Sequence, residues 1–131
     1  MKRPALAAAV IAALTLTLTG CSATPAEPTV EPLGAVSTID EVVDAFIAAG
    51  GVCNWKQTDK VTAAVASGEC SDSTVIMLFQ DRSDREGTVS TLQALKLDGE
   101  DLSLLVGENW IINSDEAEDM QPTLGGEWVT K

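Results

Sequence analysis

The chain has 131 residues with 20 acidic and eight basic side chains, a formal net charge of −12, and no histidine. This acidity argues against a nucleic-acid partner, whose phosphates attract Lys and Arg, and against adsorption to anionic lipid headgroups. The length predicts one small folded domain with short additional segments, and the lack of histidine excludes serine–histidine and cysteine–histidine catalysis.

The first 20 residues have the three-part organisation of a secretory signal peptide. Lys2 and Arg3 provide a basic start, Ala5–Leu18 is mostly apolar, and the small residue Gly20 stands at the expected cleavage point. The apolar run is shorter than the roughly 20 residues that span a bilayer. We therefore predict that residues 1–20 are a signal peptide and not a permanent membrane helix.

The tetrapeptide Leu18-Thr19-Gly20-Cys21 resembles the bacterial lipobox, in which an aliphatic residue, a small residue and Gly or Ala precede an obligatory Cys. The resemblance implies that diacylglycerol is transferred to the Cys21 thiol, that cleavage follows Gly20, and that the new amino group is often acylated, for example with palmitate. The thiolate is the nucleophile in this chemistry. The predicted product is a lipoprotein held on the outer face of the cell membrane by its acyl chains.

Residues 21–36 are predicted to be the lipidated cysteine followed by an extended tether. Pro25, Pro28 and Pro32 exclude a helix, and a proline-rich segment acts as a semi-rigid spacer. Residues 37–131 are predicted to form a single domain.

A capping box at Thr38 and Glu41 predicts the start of the first helix. Gly50 and Gly51 then predict its end. The apolar residues between these signals recur with helical spacing and predict one buried stripe, formed by Ile39, Val42, Val43, Phe46 and Ile47.

Two strands joined by a hairpin are predicted next, at 61–66 and 75–79, with a turn at 67–72. The second run is apolar at every position, which is typical of a strand covered on both faces.

A second helix is predicted to begin at the N-cap Asp81 or at a capping box formed by Ser83 and Glu86. Gly87 weakens its first turn, and Asp98-Gly99 predicts its end. Its apolar face is formed by Val89, Leu92, Leu95 and Leu97.

The C-terminal part predicts a strand at 102–106 and a turn at 107–109. The next segment, 110–112, is a fourth strand or a continuation of the third, and a short helix at 115–124 and a small edge strand at Trp128 and Val129 follow. The predicted fold is α+β, a small antiparallel sheet of three to four strands with two or three helices on one face.

Cys53 and Cys70 remain after lipidation of Cys21, and export exposes them to an oxidising environment, so we predict a disulfide between them. The alternative, a redox site, would favour Cys-x-x-Cys spacing. A zinc site would need four N or S ligands. An EF-hand-like loop beginning at Asp81 departs from the calcium-binding pattern, because Arg85 and Glu86 stand where a ligand and Gly are needed. No metal or cofactor is predicted.

Trp55 and Trp110 are the aromatic residues with two open interpretations. Each is a core residue, or it contributes to a binding surface, where Trp is enriched. No catalytic motif is found in the sequence: Gly-x-Ser-x-Gly, Gly-x-Gly-x-x-Gly and the P-loop are all absent. We therefore predict that the protein is not an enzyme.

Taken as a whole, the chain resembles small secreted lipoproteins of high-G+C Gram-positive bacteria that have no assigned function. The likeness is carried by the lipobox, by Cys53-x-Trp55 with Cys70, by the strand ending at Phe79-Gln80-Asp81, and by residues 105–112. It implies no catalytic residues.

The predicted function is a non-catalytic binding or envelope role for a membrane-anchored, extracytoplasmic domain. Its partner would be an envelope protein or a small ligand. The alternatives are a small ligand-binding accessory lipoprotein and a small envelope enzyme that uses paired carboxylates.

Overall fold

The computed structural model describes residues 31–71, 73–95 and 101–131. The predicted signal peptide, Cys21, most of the predicted tether, Leu97 and the predicted helix end at 98–99 lie outside these residues. The described part contains three helices, none of them long and apolar enough to cross a bilayer. In chain order, the elements are α1 (Ile39–Ala48), β1 (Lys56–Gln57), β2 (Ala66–Ser71), β3 (Thr74–Leu78), α2 (Arg82–Ala94), β4 (Ser103–Val106), β5 (Trp110–Asn113), α3 (Ala117–Leu124) and β6 (Glu127–Thr130).

The described strands form one sheet in the order β1-β2-β3-β5-β4-β6, with every neighbouring pair antiparallel. The α+β class is confirmed, but the expected three to four strands are wrong because the sheet has six. The missed strand β1 has two exposed residues and therefore no hydrophobic pattern. The predicted edge strand at Trp128 and Val129 is present as β6.

Residues 61–65 form a loop, and the strand predicted at 61–66 is instead β2, which begins at Ala66. Tertiary packing explains why residues typical of turns lie in this strand. A Cβ atom added to Gly68 would lie 2.6 Å from Cη2 of Trp55 and 2.4 Å from the carbonyl oxygen of Lys56. The strand must therefore have glycine at this position to accommodate the tryptophan and β1.

Both faces of the sheet are covered, so the expectation that all helices lie on one face is wrong. β3 is the clearest case: Ile76 and Leu78 pack with α1 and α3, whereas Met77 and Phe79 pack with α2. We call these the α1/α3 face and the α2 face. The prediction of a strand buried on both sides is confirmed, because Ile76, Met77, Leu78 and Phe79 are all buried.

The α1 helix begins where the sequence predicts. The backbone N–H of Thr38 donates to Oε1 of Glu41 at 3.1 Å, which forms the predicted capping box. Ile47 is 46% exposed, so it lies at the margin of the stripe. The other four predicted apolar residues are buried: Ile39, Val42, Val43 and Phe46.

The turn between β4 and β5, residues 107–109, and the neighbouring Trp110 are hydrogen-bonded to segments on both faces of the sheet. On one side, the side chain of Asn109 bonds both the N–H and the carbonyl of Val36, and Nε1 of Trp110 donates to the carbonyl oxygen of Gly34. On the other, Nη1 of Arg85 in α2 donates to the carbonyl oxygens of Gly107 and Glu108, at 2.6 Å each. One turn therefore fixes both the N-terminal segment and α2.

The N-terminal contacts begin upstream of residue 37, where the sequence places the start of the domain. The N–H of Leu33 donates to the carbonyl oxygen of Leu124 at 2.8 Å, and Val36 is buried. Residues 33–36, assigned to the tether from sequence, thus pack on the domain at its α1/α3 face.

Candidate functional site

Cys53 and Cys70 form a disulfide, as the sequence predicts. It joins the segment after α1 to β2, and beside it the N–H of Asn54 donates to the carbonyl oxygen of Cys70 at 3.2 Å. The bond closes a covalent loop that contains β1 and the whole of residues 58–65. The position of that loop on the domain is therefore constrained by the disulfide.

The two tryptophans that had open interpretations lie on the α1/α3 face. Trp110 is completely buried in the core. Trp55 is half-buried and packs against the same core, over Gly68. The core interpretation therefore applies to Trp110, while Trp55 shows only part of its ring to solvent.

A groove lies on the opposite side of the sheet, between α2 and the loop of residues 61–63. Its volume is about 450 Å³, within the usual range of small-molecule sites. We call it the α2 groove. Neither Trp55 nor Trp110 lines it; its lining consists of Val61, Thr62, Ala63, Met77, Ser83, Asp84, Gly87, Thr88, Thr91 and Leu92.

The loop wall of the groove is held in place by Asp59 and Ser67. Oδ1 of Asp59 accepts from the backbone N–H of Ser67 at 3.1 Å, and Oγ of Ser67 accepts from the N–H of Val61 at 3.2 Å. Asp59 has φ of +50°, which Asp tolerates better than most residues. Val61 is thereby fixed against Met77, the buried floor of the groove.

The pKa of the Asp59 carboxyl lies below its ordinary value of 3.8. The main cause is the side-chain hydrogen bond from Gln57, and the backbone N–H of Ser67 adds to it. Both donors favour the ionised form. The carboxylate that organises the loop is therefore charged at neutral pH.

The helix wall of the groove carries polar residues, but few of their hydroxyl groups are free to donate a hydrogen bond to a ligand. The hydroxyl of Thr88 donates to the carbonyl oxygen of Asp84, and that of Thr91 donates to the carbonyl oxygen of Gly87, both at 2.9 Å. These two residues therefore present no spare hydroxyl hydrogen to a ligand. Gly87 leaves the middle of the wall open, because a Cβ added there would have no neighbour within 4 Å.

The N-terminal end of α2 is fixed by two groups. Asp81 is its N-cap and accepts from the N–H of Asp84 at 3.0 Å, as one of the two predicted starts requires. Arg85 is 8% exposed, and its carbonyl contacts anchor the helix to the β4–β5 turn. Burying an arginine is costly unless its donors are satisfied. The two bonds from Nη1 offset part of this cost, whereas the buried Nε has no hydrogen-bond partner among the described residues.

Two smaller depressions flank the sheet. One, of about 370 Å³, lies between α2 and β6 and includes Arg82 and Arg85, but the carboxylate of Glu86 already pairs with both arginines. The other, of about 360 Å³, lies beside Cys70 and the hydrogen-bonded hydroxyls of Thr74 and Ser114.

The acidic side chains of the described residues are exposed, apart from half-buried Glu69. In this part of the chain no three His, Cys, Asp or Glu side chains are grouped so that they could hold a metal ion. Asp84 is the one acidic residue in the lining of the α2 groove.

The groove was not predicted from sequence. Its loop wall was assigned to a strand, and Gly87 was interpreted only as a weak position in a helix. The sequence signal that could have indicated the groove is the low apolar content of α2, because this helix packs beside a strand that must be covered on both faces.

No protein-family model matches the chain, and comparisons with curated proteins and with solved structures find no similar protein.

Proposed function

We propose that this protein is a lipid-anchored, extracytoplasmic domain with a non-catalytic binding role, and that the α2 groove is its ligand site. The location is supported by the resemblance of Leu18-Thr19-Gly20-Cys21 to a lipobox. It is also supported by the disulfide between Cys53 and Cys70, because structural disulfides persist in oxidising compartments.

The point at which the predicted tether joins the domain favours access to the groove. The chain joins the domain at the α1/α3 face, where Leu33 bonds Leu124 and Gly34 bonds Trp110. The groove lies on the α2 face, over Met77. An anchor attached through residues 21–32 therefore meets the domain on the side of the sheet away from the groove.

The groove itself is the observation that carries the binding role. Its floor and part of both walls are apolar, formed by Met77, Val61, Ala63 and Leu92, and its one acidic residue, Asp84, lies at the N-terminal end of α2. An apolar concavity with a few polar groups is the usual form of a small-ligand site. Paired-carboxylate catalysis would require two acids facing one substrate, and Asp84 alone lines this groove. Among the functions left open by the sequence, ligand binding is thus the one we favour.

Substitutions at Gly87 test this role without disturbing the core. Gly87→Leu places a side chain in the open middle of the groove and should weaken binding of the neutral apolar dye Nile red at least about tenfold, which is a loss of about 1.4 kcal/mol. Gly87→Ala is the matched control. It should retain the dye and stabilise the protein by about 0.5–1 kcal/mol, because alanine is the better helix former. Dye fluorescence and urea unfolding measure the two effects.

Two results would contradict the proposed ligand site. Equal dye binding by both variants, with each folded, would place the dye elsewhere and contradict the proposed site. No binding by the unmodified protein would contradict it as well.

A further inference from the structure

The α2 groove has an uneven distribution of polar groups along its length. At the N-terminal end of α2, Ser83 and Asp84 line it, whereas Thr91 and Leu92 line it two turns later. The hydroxyls of Thr88 and Thr91 donate within the helix. The groove therefore has an acidic end at Ser83 and Asp84, and a remainder lined by apolar residues and by threonines.

Asp84 gives the polar end its charge. Within the described residues its carboxylate has no ion pair, because the neighbouring cations have other partners: Arg82 pairs with Glu86, and Arg85 binds the β4–β5 turn. The N-cap contact at this position uses the backbone N–H of Asp84 and leaves its carboxylate uncommitted. Asp84 is exposed, so a ligand can reach it from the groove.

We propose that the ligand of the α2 groove is a single-chain cationic amphiphile, whose apolar chain lies over Met77 and Leu92 and whose ammonium group pairs with Asp84. This inference rests on the proposed function and adds the chemical class of the ligand. The apolar chain of the ligand is complementary to the apolar residues in the floor and walls of the groove. The cationic head is chosen for charge complementarity, since an anionic head would face a carboxylate in a protein with a net charge of −12.

The size of the charge effect can be bounded. An exposed ion pair contributes about 0.2–1 kcal/mol, so most of the affinity comes from the chain and the charge adds selectivity. Octylammonium should therefore bind about 1.4- to fivefold more tightly than octanol. Octanoate should bind more weakly than either compound. Raising the salt concentration should reduce the preference, because the pair is at the surface.

The experiment is a calorimetric titration of the complete domain, residues 21–131 with Cys21→Ala and the disulfide intact, with octylammonium, octanol and octanoate at low salt. Asp84→Asn should remove the preference for octylammonium over octanol. Glu118→Gln, an equal charge change on α3, should keep the preference. Gly87→Leu should weaken all three compounds.

The following results of the titration would overturn the inference. Equal affinities for octylammonium and octanol, or a preference that Glu118→Gln removes as fully as Asp84→Asn does, would show that Asp84 does not select the head group. If Nile red still binds in a Gly87-dependent manner in that case, the proposed site stands and only the ligand class fails. If neither the dye nor any octyl compound binds, both proposals fail.

Discussion

Replacing Trp110 with alanine should destabilise the domain by about 3–5 kcal/mol, the cost typical of removing a large aromatic side chain from a core. Trp110 is completely buried on the α1/α3 face, and its Nε1–H donates to Gly34 at 3.0 Å. The loss approaches the total stability of a small domain, about 5–15 kcal/mol. Urea unfolding monitored by far-UV circular dichroism measures it without relying on the fluorescence of the residue removed.

Two control variants divide this effect into packing and hydrogen bonding. Trp110→Phe keeps most of the apolar volume and loses the donor, so it should cost clearly less than Trp110→Ala. Trp55→Ala removes a half-buried ring and should also cost less. A change below about 1 kcal/mol for Trp110→Ala, which is the range of surface substitutions, would contradict the position of Trp110 in the core.

Gly107 shows how closely the tryptophan is enclosed. A Cβ atom on Gly107 would fall within 1.9 Å of Cε2 of Trp110, so no side chain fits between the turn and the ring. The β4–β5 turn also bonds Arg85 and Val36. Displacing the ring should therefore loosen both the N-terminal segment and α2, which carries one wall of the groove.

Removing the disulfide with Cys53→Ala and Cys70→Ala together should lower the free energy of unfolding by about 3 kcal/mol, because the bond restricts the unfolded chain over a sequence separation of 17 residues. Alanine is preferred to serine because Cys70 is buried and a buried hydroxyl is costly unless it is hydrogen-bonded. Urea unfolding with and without a reducing agent measures the effect.

Reduction provides the internal control for this variant pair. A reducing agent should bring the unmodified protein close to the stability of the double variant and should not change the double variant itself. The loop that supplies Val61 to the groove lies within the disulfide-closed segment, so the reduced protein should also bind Nile red more weakly. Unchanged stability of the unmodified protein under reduction would contradict the role given to the bond.

The elements that follow from local signals were predictable. The capping box at Thr38 and Glu41, the apolar run before Gln80 and the N-cap Asp81 each act over a few residues and need no knowledge of the fold. The cysteine pairing was predictable for a different reason: once Cys21 is assigned to the lipid, Cys53 and Cys70 are the two that are left.

What escaped prediction depends on contacts between distant residues. β2 contains Gly68 because the ring of Trp55 and the neighbouring strand β1 need that space, and no periodicity encodes this requirement. The strand β1 is defined by its partner and not by its own sequence. The groove depends on Gly87 facing a loop some 25 residues earlier in the chain, so neither wall identifies it alone.

Whether the protein is lipid-anchored and oxidised can be measured by intact mass spectrometry of the membrane fraction from its native host, with and without reduction and alkylation. We expect a mature species that begins at Cys21, carries acyl mass, and is alkylated at two thiols only after reduction; a Cys21→Ala variant should lack the acyl mass. An unacylated species released to the medium, or two thiols that react without reduction, would contradict the proposed anchored and oxidised state of this domain.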